Sequence, residues 1–163
     1  MALCVLDHGS RACLRLSELA DKRSTTILRE LIAAFRRFGL PKRLRVDNEI
    51  CLSSRVMRSA RTLLGVRLQT IDLHCPWQNG RIERFFGAFK QHLDRITIAD
   101  VDDLSCKLIE FRVWYNHVRT HQLLHDRTPA EAWDGRAKTT RRPQWFEVWE
   151  CRITGHHRRR GRD

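Results

Sequence analysis

Several things are scarce in this sequence, and each scarcity excludes a class of protein. No apolar run approaches the ~20 residues that a bilayer-spanning helix requires, so a membrane span is excluded. The opening residues do not read as a signal peptide, because Asp7 and His8 interrupt their apolar start, and the chain is expected in the cytoplasm. Paired CxxC spacing is missing as well. The six cysteines, Cys4, Cys13, Cys51, Cys75, Cys106 and Cys151, are scattered through apolar or strand-like surroundings, which suggests reduced and mostly buried thiols. Cys151 with His156 and His157 lacks the fourth ligand that structural zinc needs. Nor is there an internal repeat.

Acids are in deficit. Against 31 Lys and Arg stand 19 Asp and Glu, for a formal charge of +12 and a pI near 10.5. Such a balance favours a polyanionic partner, with nucleic acid first. At 163 residues the chain has the size of one domain and can bury a core without disulfides or metals.

Apolar spacing then orders the elements. Residues 2 to 6 and Ala12 to Leu19 read as a β-hairpin. From Ser24, Ile27, Leu28, Leu31, Ile32 and Phe35 share a helical face that Gly39 and Pro41 end. A strand is expected over Arg43 to Asp47. Val56, Met57, Ala60, Leu63 and Leu64 stripe a second helix closed by Gly65, and Val66 to Ile71 returns to strand spacing. A third helix is expected from Trp77 to Arg95, striped by Ile82, Phe85, Phe86, Phe89 and Leu93, and a fourth after Asp100, striped by Leu104, Leu108, Phe111, Tyr115 and Val118. Strands alternating with helices indicate an α/β fold. Residues 1–135 form the expected core. The basic extension 136–163 carries Trp145, Phe146 and Trp149 and is expected to be a peripheral strand or loop.

Two carboxylates stand out. Asp47 ends a predicted strand, Glu83 lies early in a predicted helix, and 35 residues separate them. A strand-helix-strand-helix segment of that length can return the second acid to the C-terminal end of the first strand, where open α/β sheets place their sites. A pair of acids there suits a hard divalent cation and phosphoryl transfer. An Asp after a strand is also a common turn former, and a helical Glu beside arginines is commonly a solvated surface acid. The face of the third helix adds to the first reading, since Asn79, Gly80, Glu83, Gly87 and Lys90 align at three-, four- and seven-residue spacing. Gly87 leaves a gap that a DNA backbone could approach, and Lys90 could hold a phosphate.

Four motifs occur in order: Arg-Val-Asp47-Asn48-Glu49, then Pro76 through Gln78-Asn79-Gly80-Arg81-Ile-Glu83-Arg84-Phe85, then Tyr115-Asn116 with Arg119 and His121, then Thr128-Pro129. Together they resemble the integrase core of bacterial insertion-sequence transposases, over nearly the whole chain. The resemblance implies a ribonuclease H-like fold with a mixed sheet flanked by helices. It also implies Mg²⁺ or Mn²⁺ dependence, and cutting and joining of transposon ends and target DNA by a homo-oligomer of the full-length protein.

By the same resemblance Asp47 and Glu83 are the second and third catalytic carboxylates and metal ligands, while Gln78, Asn79, Gly80, Arg81, Arg84, Gly87 and Lys90 lie at positions that approach DNA. Asn116, Arg119 and His121 take a structural role. Glu49 departs from the family, which usually has Gly there. The family's first Asp has no counterpart. Asp7 matches the acid that ends the family's second strand and is read as a turn residue, so the core should lack its first strand, leave strand edges unpaired and be catalytically impaired. The alternative is a non-catalytic DNA-binding remnant of a transposase.

Overall fold

The computed structural model describes residues 1–46, 54–70, 79–138, 144–149 and 153–157. The chain opens with β1 (Ala2–Leu6) and β2 (Cys13–Glu18), an antiparallel pair. Helix α1 (Ser24–Phe38) follows. Its apolar spacing buries Ile27, Leu31 and Ala34, and it stops at Gly39, whose φ of 90° suits glycine. Then come β3 (Arg43–Val46), α2 (Arg55–Leu63) and β4 (Arg67–Thr70), with β3 and β4 parallel through the α2 crossover.

Helices α3 (Gly80–Leu93) and α4 (Val101–His117) come next, followed by a 3₁₀ turn (Gln122–Leu124) and the short α5 (Pro129–Trp133). Ser54, Asp100 and Thr128 cap α2, α4 and α5 through their side chains, and Thr128 with Glu131 forms a reciprocal capping box. A second antiparallel hairpin, β5 (Gln144–Val148) and β6 (Ile153–His157), ends the described chain.

The first hairpin separates two apolar clusters. On one side Leu19 joins Ile27 and Leu31 of α1 and Met57 of α2, with Leu3 and Val5 packed against them. On the other, Phe85 and Phe89 of α3 meet Phe111, Trp114 and Tyr115 of α4 over Cys13 and Leu16, with Cys4 and Leu6 alongside. Edge-on ring pairs such as Phe85–Tyr115 at 4.7 Å and Phe89–Phe111 at 5.0 Å hold the second cluster. Asn116 ties it to the hairpin: its Oδ1 accepts from Cys13 N at 2.8 Å and its Nδ2 donates to Cys13 O at 2.9 Å. The amide thereby satisfies both main-chain groups of a residue only 1% exposed, which is the structural role expected of it.

Four details differ from the sequence reading. Helix α2 buries only Met57 of its stripe, while Val56 and Leu63 face solvent at 47% and 87% exposure, because only one side of this helix meets α1. Of the three described cysteines, all free, Cys13 is buried, Cys4 half-buried and Cys106 exposed, since Cys106 lies on the solvent side of α4. The strands do not join into one mixed sheet among the described residues; one two-stranded sheet is parallel and two are antiparallel. The basic extension is not peripheral: Trp149 and Ile153 sit in the second cluster at 4% and 0% exposure. Trp149 Nε1 also donates to Glu110 Oε2 of α4 at 2.6 Å.

Candidate nucleic-acid interface around the third helix

Burial divides α3 lengthwise. Phe85, Ala88 and Phe89 are buried, whereas Arg81, Glu83, Arg84, Gly87 and Lys90 are exposed. Asn79 is the N-cap residue, without a side-chain capping bond, and Gly80 opens the helix half-exposed. A Cβ placed on Gly80 or Gly87 would meet no atom of the described chain within 4 Å, so both glycines border open space. Glu83 stands in the first turn, where the helix dipole favours an anion. Two arginines flank it in sequence, yet among the described residues it makes no ion pair or hydrogen bond. It is an unengaged hard oxygen ligand, the donor type that Mg²⁺ and Mn²⁺ take.

Asp47, Asn48, Glu49 and Gln78 lie outside the described residues. Asp47 follows Val46, the last residue of β3, whose parallel partner is Thr70 at the end of β4. Asp7, by contrast, is committed to its turn: Ser10 donates to Asp7 Oδ2 through its N–H at 2.7 Å and its hydroxyl at 2.8 Å. Among the described residues no three His, Cys, Asp or Glu side chains gather as a metal site. Nor is any helix of the described chain long and apolar enough to cross a membrane.

Next to the N-terminal half of α3 the structure gathers a set of cations that sequence reading only half anticipates. A narrow cleft is lined by Leu6, Arg11, Arg81, Arg84, Tyr115, Arg119 and His121. Arg11 is 8% exposed and adopts a left-handed φ of 61° in the hairpin turn. Burial and then Arg81 lower its pKa. Arg119 lies over the rings of Trp114 and Tyr115 at 5.6 and 5.7 Å, a cation–π arrangement. Arg81 meets His8 Nδ1 at 3.0 Å. Burial, followed by Arg119, Arg11 and Arg84, pushes the His121 pKa down to about 4, and burial pushes Tyr115 up to about 12. No carboxylate of the described chain pairs with any of the four arginines. Arg119 and His121 are legible as motif positions, but nothing in the sequence signals that Arg11 folds in beside them.

Comparison with known proteins agrees with this architecture. Residues 64–129 match the integrase core domain family. A chain of the simian T-cell lymphotropic virus intasome, solved with PP2A regulatory subunit B56 gamma, superposes with a TM-score of 0.64 at 23% identity over 87% of this chain. The match spans 54% of that intasome chain, about half its length. The HTLV-2 integrase catalytic core domain, solved with magnesium in a trimeric form, gives a TM-score of 0.65 at 16% identity over 80% of this chain and 82% of that one. The catalytic core domain of BIV integrase gives 0.65 at 18% identity over 81% and 84%. The chain thus has the fold of these integrase catalytic core domains, and its segment 64–129 matches the integrase core domain model.

Proposed function

We propose that this chain acts on DNA as the core of a DDE-type transposase or integrase of the insertion-sequence kind. Asp47 and Glu83 share a divalent cation, Mg²⁺ or Mn²⁺, and Gln78, Asn79, Gly80, Arg81, Arg84, Gly87 and Lys90 face the DNA. The observation that carries the reading is the exposed stripe of α3, in which an unengaged Glu83 is followed one turn on by an open glycine and two turns on by a lysine. The magnesium bound to the HTLV-2 core of the same fold supports the choice of metal.

The chemistry is polynucleotidyl transfer, in which water and then a DNA 3′ hydroxyl attack phosphodiesters without a covalent protein intermediate. When bound, the metal stabilises charge on the attacking and leaving oxygens. The residues themselves do the rest. The two carboxylates orient the ion, Lys90 and the arginines hold backbone phosphates, and Gly87 lets the backbone come close. Transposon ends and target are held together by a homo-oligomer of the full-length protein. This chain alone transfers strands poorly, because Asp7 is engaged by Ser10 and two acids do not hold two metals in the in-line geometry.

Two variants test the reading, Asp47→Asn and Glu83→Gln. Mn²⁺ affinity, read from paramagnetic broadening of α3 amide signals, should fall by at least the ~10- to 100-fold that outer-shell partners cost. Residual Mg²⁺-dependent nicking or joining should vanish while salt-sensitive DNA binding survives. Unchanged Mn²⁺ binding in both variants would refute the shared metal site and leave a non-catalytic DNA-binding remnant.

A further inference from the structure

We propose that Arg11, Arg84, Arg119 and His121 form a phosphate-binding niche beside the N-terminal half of α3, which holds a phosphodiester of the DNA backbone away from the reacting strand. The proposal rests on the DNA-binding reading above and adds a site to it. Three arginines from three separate elements, the β1–β2 turn, α3 and the segment after α4, converge on one cleft that Arg81 also lines. Like charges brought together in this way repel, and no described carboxylate offsets them.

The fold also buries one of these cations rather than leaving it in water, since Arg11 is only 8% exposed. It does so through a backbone conformation, φ of 61°, that costs a non-glycine residue energy. A second observation is independent of the charge. His121 is among the residues that line the cleft, and its Nε2 is buried with no hydrogen-bond partner in the described chain. A buried polar nitrogen left unpaired is a cost that a bound acceptor would remove. Neutral imidazole with its proton on Nε2 donates one hydrogen bond, and guanidinium groups supply several more in forked geometry, so the complement is a compact multi-oxygen anion. A phosphate at the mouth of the cleft offers oxygens to each of these donor types.

The niche shares Arg84 with the exposed α3 stripe and extends beyond it. Arg11 and His121 are contributed by elements other than α3, and Glu83, Gly87 and Lys90 are not among the residues that line the cleft. Binding here would clamp the hairpin turn and the end of α4 to the same duplex that lies along the helix.

The experiment follows the His121 ring signals by NMR while sodium phosphate, sodium acetate or a short duplex of arbitrary sequence is added at constant ionic strength. The proteins are the whole chain, Arg11→Gln, Arg84→Gln and, as a distant control, Lys22→Gln. Phosphate and duplex should both move the His121 signals in the whole chain. Arg84→Gln, exposed on α3 and not needed for packing, should weaken both responses about tenfold even where Arg11→Gln fails to fold. The salt slope of duplex binding should fall by about 1 in the same variants and stay unchanged in Lys22→Gln. Signals that do not move, or that move equally with acetate or equally in the arginine variants, overturn the niche. A response to phosphate that the duplex does not share assigns a free-anion site and overturns the DNA source. Glu83→Gln should keep the full phosphate response, so loss of the metal reading and loss of the niche are distinguishable.

Discussion

Single residues on α3 and beside it carry opposed demands of stability and function. Gly87 sits in the interior of a helix, where glycine costs roughly 1 kcal/mol relative to alanine. A methyl group there would meet nothing within 4 Å, so Gly87→Ala should raise stability by about that amount in denaturant unfolding. If DNA uses the gap, the same variant should bind duplex and join strands less well than the parent. A more stable protein with undiminished DNA binding would show that the gap is not used. His121 sets a different dependence. Its folded pKa of about 4 lies below the ordinary 6.5, so on acidification the unfolded chain takes up this proton first. Stability from this group is therefore complete above pH 6.5 and declines as the pH drops toward 4, by about 1 to 2 kcal/mol once solvent screening is allowed for. His121→Gln should flatten that limb of the stability profile, and an unaltered limb would mean that His121 is not held neutral.

Elements that meet through a close approach at a glycine tolerate added atoms poorly. The β5–β6 hairpin reaches α4 where Gly155 lies against Val118, and a Cβ on Gly155 would run into Val118 Cγ1. Gly155→Ala should destabilise the chain by about 1–3 kcal/mol through overpacking and loosen Trp149, readable as a red shift of its fluorescence. Adding Val118→Ala should recover part of the loss, a coupling absent if the hairpin docks elsewhere. That docking was not legible in the sequence. The long helices were: the helical spacing of Ile27 and Leu31, and of Leu108, Phe111 and Tyr115, reports burial because a helix turns every 3.6 residues regardless of its partner. Tertiary partners, by contrast, decided the fate of Leu63, Trp149 and Arg11. A basic composition around Trp149 suggested an outlying segment, while the indole in fact finds Glu110 and the buried aromatic cluster of α3 and α4. For the candidate site, Glu83, Gly87 and Lys90 could be aligned from spacing alone, whereas the convergence of Arg11 on His121 depends on a hairpin turn whose left-handed residue is not a glycine.

For the molecule as a whole the consequential feature is the division of its sheets. β1 is covered on both faces, with Leu3 and Val5 toward α1 and Cys4 and Leu6 toward the α3–α4 cluster, as befits the interior of a sheet. Among the described residues it nevertheless pairs only with β2, and β3 pairs only with β4. Leu19 N donates to Met1 O at 2.7 Å, which places Met1, Leu3 and Val5 in the bonded set of the antiparallel ladder and turns the amides of Ala2 and Cys4 to the other edge. Hydrogen exchange can read this directly. In dilute protein the Cys4 amide should exchange about a hundredfold faster than those of Leu3 and Val5, although all three residues are similarly covered. Raising the concentration should slow Cys4 selectively if two copies pair through the open edge, the usual hazard of an unprotected strand. Equal protection of the three amides in dilute protein would mean that the β1 edge is already occupied and that the sheet is continuous.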